Sequence, residues 1–178
     1  GYGSYYIIND EEKKMPEDKI VSHAKVGIIG GGIMGVSLLY HLAKEGWKDL
    51  VLLEKGELTS GSTWHAAGQC PHFVGSYNLA KVHHHSTELY KKLEQETGQA
   101  TGWHGCGSLR LAYKQEDLEW FHYVKGILDN VGSPAKIIST QEIPTIHPFI
   151  KSNGIIGALH TPEDGHTDPS STTNAMAI

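Results

Sequence analysis

Hydrophobic and polar positions along this chain follow two different periods, and the changes between them mark out its elements. Val26-Gly27-Ile28-Ile29 is a short apolar run bounded by glycine. After Gly30-Gly31-Gly32 the apolar positions move to Val36, Leu38, Leu39 and Leu42, and the pattern stops at Gly46. This predicts a strand, a tight turn, a helix and a glycine cap. Asp49 then leads into Leu50-Val51-Leu52-Leu53-Glu54, apolar up to its last residue, as expected of a strand buried on both faces of a parallel sheet. The three pieces make a βαβ unit.

A loop rich in Ser, Thr and Gly spans 56–75. Leu79, Val82, Ser86, Leu89 and Leu93 then recur at steps of three and four, one face of a helix ending at Gly98. Residues 108–113 alternate like a half-buried strand. A second amphipathic helix carries Leu118, Phe121, Val124 and Leu128 and closes at Gly132. Ala135 to Ile138, a short turn-and-helix stretch over 141–149, a strand over 154–159 and a helix over 169–178 complete the pattern. Residues 1–24, with the charged run 10–14, are polar and unpatterned and read as an N-terminal arm. No repeat or low-complexity tract is visible.

The chain has 178 residues, 39% of them hydrophobic and 20% charged, the profile of an ordinary globular protein with one sizeable core. Its formal charge of −5 gives a nucleic-acid partner no electrostatic support. The apolar runs fall far short of the roughly 20 residues of a membrane span, and the N-terminal segment resembles neither a signal nor a transit peptide. Cys70 and Cys106 lie far apart and form no CxxC, so a reducing compartment is the default and both are read as small packing residues. The first residue is Gly1, and the chain stops at Ile178 inside a helical pattern without a closing signal. A fragment of a longer protein is expected.

Gly30-Gly31-Gly32-Ile33-Met34-Gly35 is a G-x-G-x-x-G. With 21 glycines in the chain, about 0.3 such matches arise by chance, so the context carries the argument. The motif follows a strand and opens a helix, and Glu54 ends the next strand 19 residues after Gly35, where a carboxylate accepts both ribose hydroxyls of an adenosine. Gly30 allows the tight turn, Gly32 the approach of a pyrophosphate and Gly35 close packing of helix on strand, with the helix N-terminus facing the negative charge. Glu54 disfavours a 2′-phosphate and hence NADP; NAD and FAD both remain open at this point.

The segment Leu58-Thr59-Ser60-Gly61-Ser62-Thr63-Trp64-His65-Ala66-Ala67-Gly68 separates the two. It is a loop of small residues and hydroxyls with one imidazole among Ala and Gly. From Val26 through Gly68 the sequence resembles the N-terminal flavin domain of the dimethylglycine and sarcosine dehydrogenases, within the FAD-dependent amine oxidoreductases similar to D-amino acid oxidase. The resemblance continues through Gly107-Ser108-Leu109-Arg110-Leu111-Ala112 and Asp164-Gly165-His166-Thr167-Asp168-Pro169, covering 25–178. It implies an α/β fold: a Rossmann-type FAD-binding domain with part of an interleaved β-sheet substrate subdomain, truncated. The expected boundaries are the FAD-binding βαβ unit and flavin loop over 25–100, the start of the substrate-facing subdomain over 101–160, and a return helix over 161–178.

By the same resemblance His65 is the residue bonded covalently to the flavin. Gly30, Gly32, Ile33, Met34 and Gly35 form the pyrophosphate turn, Glu54 and Lys55 the adenosine end, and Ser62, Thr63 and Gly68 the loop over the flavin. The implied activity of the parent protein is oxidative demethylation of a small N-methylated glycine, dimethylglycine or sarcosine, by hydride transfer to FAD. Electron-transfer flavoprotein or O2 is the implied acceptor, and tetrahydrofolate a further ligand of a region beyond Ile178. The expected location is cytoplasmic in a bacterium and the mitochondrial matrix in a eukaryote. Alternatives are another FAD amine or amino-acid oxidase and a non-catalytic regulatory relative that keeps the fold. The catalytic residues are not identified, the residues that position substrate are expected beyond Ile178, and the segment by itself should hold FAD poorly and turn over nothing.

Outside that loop the expectations are structural. His83, His84 and His85 are about 100° apart around a helix and cannot converge on one metal ion, so they are expected to face solvent or flank the apolar stripe. Trp103, His104, Trp120 and Tyr123 read as core or interface aromatics, although a methylated ammonium favours aromatic faces. His72 and His166 read as polar loop residues.

Overall fold

Strand β2 (Val26–Ile29), helix α1 (Ile33–Lys44) and strand β3 (Leu50–Leu53) realise the βαβ pattern. In the computed structural model, which describes residues 5–8 and 23–178, β2 and β3 pair in parallel from Val26 opposite Leu50 to Ile29 opposite Leu53. Leu50, Val51 and Leu52 are all buried, as the continuous apolar run requires. Helix α1 buries Val36 and Leu39. It ends where Gly46, at φ +82°, donates its N–H to Ala43 O while Trp47 N–H reaches back to Leu42 O. That double closure needs a left-handed residue at Gly46.

The N-terminal stretch differs from the reading of 1–24 as an unpatterned arm. Tyr5–Ile8 is a strand, β1, parallel to β3 with Tyr5 opposite Leu50, giving the sheet order β1-β3-β2. Tyr-Tyr-Ile-Ile is a run of strand-favouring residues, overshadowed in the sequence by its polar surroundings. Residues 1–4 and 9–22 lie outside the described residues.

The chain divides into two units. The first comprises 1–68, 93–102 and 168–178; the second comprises 69–92 and 103–167. The chain thus enters the second unit at 69, passes back through the first over 93–102, leaves it again at 103 and returns at 168. The return is helix α5 (Pro169–Met176), which packs on α1. It begins with Asp168 accepting Ser171 N–H at 2.6 Å and with Pro169 in its first turn, a strong local start signal.

In the second unit, strands β5 (Ser108–Ala112), β7 (Gly157–Thr161) and β6 (Lys136–Ile138) form an antiparallel sheet in the order β5-β7-β6. Helix α3 (Gln115–Val131) packs Phe121, Val124 and Leu128 with Ala112 and Leu159. A second cluster joins Ala158, Ile138 and Ile155 to Ile143 of the short helix α4 (Ile143–Ile146), with Leu109 and Leu111 packed against it. Strand β7 thus buries alternate residues in two different cores, and begins three residues later than expected. A small antiparallel pair, β4 (Gln69–Cys70) with β8 (Gly165–His166), completes this unit.

Helix α2 (Tyr77–Thr97) has its predicted length but a different buried face. Ala80, Thr87 and Leu93 are buried, whereas Leu79 and Val82 are 51% and 58% exposed. Of the predicted stripe only Leu93 is fully buried, and the small residues Ala80 and Thr87 take the other buried positions. His83 and His84 are half-buried and His85 is exposed, in keeping with positions at a flank of the buried face and toward solvent. His83 donates Nδ1–H to Pro71 O at 2.8 Å, and His84 Nδ1 lies 3.0 Å from Ser133 Oγ.

Candidate functional site

Four segments of the first unit converge at the start of α1. Gly30 N–H donates to Leu53 O at 2.8 Å and holds the glycine turn against the end of β3. Gly30 sits at φ +109°, a conformation that only glycine adopts without strain. A Cβ on Gly35 would lie 2.0 Å from Gly30 O, so helix and strand approach closely because that side chain is absent. Gly31, the free position of the motif, is constrained as well. Its Cβ would meet Leu58 Cδ2 at 2.6 Å and Glu54 Cβ at 3.0 Å.

Glu54 binds the turn directly. Its Oε2 accepts Gly31 N–H at 2.6 Å and its Oε1 accepts Gly56 N–H at 2.9 Å. These amides, with Gly31 foremost, hold the Glu54 carboxyl below the usual carboxylate range. The loop 56–68 returns to the same place: Thr59 N–H donates to Gly31 O at 2.9 Å, and Thr63 Oγ1 accepts Ile33 N–H at 3.0 Å. Thr59 is buried and at φ +71°, an uncommon backbone for a β-branched residue. Neither Thr59 nor Gly31 stands out in the sequence, since backbone conformation and close approach leave no motif of their own.

The remaining candidates take up different surroundings. Thr63 opens a single 3₁₀ turn, Thr63–His65, that packs against α5. His65 is exposed, with Nδ1 3.2 Å from Gly61 O and its ring centroid 3.7 Å from that of Trp64, the two planes tilted by 34°. Met34, at 82% exposure, projects from the first turn of α1. Lys55 and Ser62 are exposed, and Gly68 at φ +71° ends the loop in a glycine-specific conformation. Gly30, Gly32, Ile33, Gly35, Glu54 and Thr63 therefore form one constellation, while His65 stands on the turn that Thr63 begins. Helix α1 has no acidic residue in its first turn and no side-chain cap from Gly32. Its partial positive charge is left available to an anion approaching the glycine face.

The second unit contains a buried polar hub that the sequence did not reveal. Asp164 and His72 are 2% and 1% exposed. The Asp164 carboxylate accepts His72 N–H at 2.8 Å and lies 2.6 Å from His72 Nδ1 through the same oxygen, while Ser108 and Thr161 hydroxyls donate to the other. Burial acts to raise the Asp164 pKa, but the bonds from His72, Ser108 and Thr161 outweigh it and hold the group below its ordinary value. His72, expected as a polar loop residue, is thus a core brace. Its buried Nε2 has no partner among the described residues.

Other expectations for this unit also change. Trp120 and Tyr123 are partly exposed and stack on each other at 5.1 Å, so they are not core, and His104 and His166 are exposed with rings 5.1 Å apart. Arg110 lies 4.0 Å over Phe73, which places a protein cation on that aromatic face. Cys106 is exposed rather than packed. Cys70 is half-buried, and burial with the nearby Asp164 charge pushes its thiol up to about 11.

Comparison with known proteins places residues 25–178 in the FAD dependent oxidoreductase family. Human mitochondrial dimethylglycine dehydrogenase is 46% identical over 169 residues, which is 93% of this chain and 20% of that protein. The mouse mitochondrial pyruvate dehydrogenase phosphatase regulatory subunit is 40% identical over 156 residues, 88% of this chain and 18% of that protein. Among solved structures, L-proline dehydrogenase from P. horikoshii superposes with a TM-score of 0.81 at 31% identity, over 89% of this chain and 41% of that one. The chain spans about a fifth of the length of the relatives it matches in sequence.

Proposed function

The chain belongs to the family of FAD-dependent oxidoreductases, and from that premise we propose that the protein carrying it oxidatively demethylates a small N-methylated glycine, dimethylglycine or sarcosine, using a flavin held by this chain. The observation that carries the proposal is the convergence of Gly31, Ile33, Glu54 and Thr63 on the N-terminus of α1 within a parallel βαβ unit. The residues present fit a dinucleotide. Gly30, Gly31 and Gly32 leave the turn bare of side chains, and the helix start, where Thr63 takes only the Ile33 amide, offers its remaining amides to a diphosphate. Each oxygen of Glu54 accepts one backbone amide and keeps a lone pair for a ribose hydroxyl.

When bound, the flavin supplies a two-electron acceptor for the amine C–H and an electrophilic carbon at its 8α-methyl group. His65 suits the second feature. Gly61 O can only accept a hydrogen bond, so the contact to His65 Nδ1 assigns the proton to Nδ1 and leaves the lone pair on Nε2. With a flavin bound, Nε2 would be the nucleophile for a C–N bond at that methyl carbon, with one proton lost from the methyl, one from the imidazole, and two electrons passed to dioxygen or another two-electron acceptor. The tether would hold the cofactor and strengthen it as an oxidant.

In substrate oxidation a hydride of the N–CH₃ group would go to the flavin, and the iminium would be hydrolysed or its one-carbon unit captured by tetrahydrofolate bound elsewhere in the complete protein. Electron-transfer flavoprotein or dioxygen reoxidises the enzyme. In a eukaryote the mitochondrial matrix is the proposed location, in keeping with the mitochondrial relatives. The complete protein reconstituted with FAD should absorb near ~450 nm and bleach anaerobically with dimethylglycine, releasing formaldehyde. Colour without bleaching would favour another FAD oxidoreductase. A colourless protein would favour a regulatory role, which the likeness to the phosphatase regulatory subunit supports.

A further inference from the structure

One side chain ties the turn that bears His65 to the start of α1. Thr63 is 7% exposed, and its Oγ1 accepts the N–H of Ile33, the first residue of the helix, at 3.0 Å. The N-cap residue Gly32 has no side chain for this task, and a Cβ there would lie 2.9 Å from Thr63 Oγ1. Thr63 therefore caps α1 from thirty residues downstream in the sequence.

The turn itself is stiff. Ser62 O accepts His65 N–H at 3.3 Å and Thr63 O accepts Ala66 N–H at 3.1 Å, so Thr63 and His65 share a single hydrogen-bonded turn. Upstream, the bond from Thr59 N–H to Gly31 O pins the same loop to the glycine turn. Packing of the turn on α5 supports it from behind.

Resting on the reading that His65 bonds the flavin, we infer that Thr63 is a positioning residue whose hydroxyl sets the His65 imidazole at a fixed distance from the amides that hold the diphosphate. A dinucleotide gripped at its diphosphate presents its flavin at a defined reach. The imidazole must stand at that reach, because bond formation needs a reacting pair about 3–3.5 Å apart and a misplacement of about 1 Å costs on the order of 100-fold. Without the Thr63 acceptor, the turn loses its direct link to α1 while the diphosphate amides stay in place.

The test uses the complete protein, freed of FAD and then mixed with saturating FAD, with acid-stable flavin on the precipitated protein followed over time. Thr63→Ser keeps the acceptor and should incorporate flavin within about threefold of the wild-type rate, whereas Thr63→Val should be slower by about 10- to 100-fold. The saturating FAD concentration is set for each variant by flavin fluorescence in a His65→Ala background, where only reversible binding remains, so that slower incorporation is not read from weaker binding. Thr63→Ala is the second variant should Thr63→Val not fold by circular dichroism.

Incorporation at the wild-type rate in Thr63→Val or Thr63→Ala overturns the positioning role alone. So does a Thr63→Ser protein as slow as Thr63→Val. A wild-type protein that never acquires acid-stable flavin overturns the His65 reading, and the positioning role falls with it.

Discussion

Replacing Gly35 by alanine sets two effects of opposite sign against each other, and the geometry says which prevails. In a helix interior, alanine is favoured over glycine by about 1 kcal/mol. At Gly35, however, the new Cβ would lie 2.0 Å from Gly30 O and 3.1 Å from Gly30 C, with Ile28 Cγ2 at 3.4 Å. A backbone carbonyl cannot swing away as a side chain can, and Gly30 is held by its own bond to Leu53 O. Relief needs a shift of roughly 1 Å in helix or turn, at a cost of about 1–3 kcal/mol for overpacking plus about 1 kcal/mol for the strained hydrogen bond. The net expectation is a loss of about 1–3 kcal/mol, or ~3–10 °C in Tm for a chain of this size.

Gly126, inside α3, provides the contrast, because a Cβ there meets nothing within 4 Å. Gly126→Ala should raise Tm by a few degrees, about 2–4 °C. Thermal denaturation of both variants, followed by circular dichroism, makes the comparison. FAD titration of Gly35→Ala should also show affinity reduced about tenfold or more. If Gly35→Ala were stabilising like Gly126→Ala and bound FAD normally, the close approach of α1 to the turn would be refuted.

Other consequences are equally direct. Asp164→Ala strands the buried donors of His72, Ser108 and Thr161 and should cost about 3–5 kcal/mol in chemical denaturation; a cost below about 1 kcal/mol would contradict the hub. Because the folded-state Asp164 pKa lies below its ordinary value, its stabilisation is complete above the unfolded value of about 3.9 and is lost as pH falls through the lower folded value. The stability gap between wild type and Asp164→Asn should therefore be flat above about pH 5 and shrink below about pH 4. With its thiol pushed up to about 11, Cys70 is only roughly 0.1% thiolate at pH 8. A thiol reagent should modify exposed Cys106 first and Cys70 only on unfolding. Glu54→Gln leaves one of the Gly31 and Gly56 amides without a carboxylate acceptor and should weaken FAD binding about tenfold, measured by fluorescence quenching; unchanged affinity would remove Glu54 from the site.

The parts of the fold that depend on neighbours in sequence were legible before any coordinates. The βαβ unit is one, since an apolar run, a glycine turn and a 3.6-residue period stand in a single stretch from Val26 to Leu53. The tight glycine turn followed from the same stretch. Features that depend on distant partners were not legible. Asp164 gathers donors from residues 72, 108 and 161, and no local pattern announces such a convergence. Thr63 was expected in the loop over the flavin, but its bond to Ile33 at the helix start was not foreseen. The face of α2 was misjudged in part because the buried residues Ala80 and Thr87 carry little hydrophobic signal.

The central claim, a flavin seated on the Gly30–Gly35 turn and bonded to the imidazole of residue 65, is tested most directly by mass spectrometry of the complete protein. After reconstitution with FAD, acid denaturation and proteolysis, the peptide containing His65 should carry the mass of FAD less two hydrogens, and His65→Ala should abolish that species while FAD still binds reversibly. A wild-type protein that binds FAD but yields only the unmodified His65 peptide would contradict the claim.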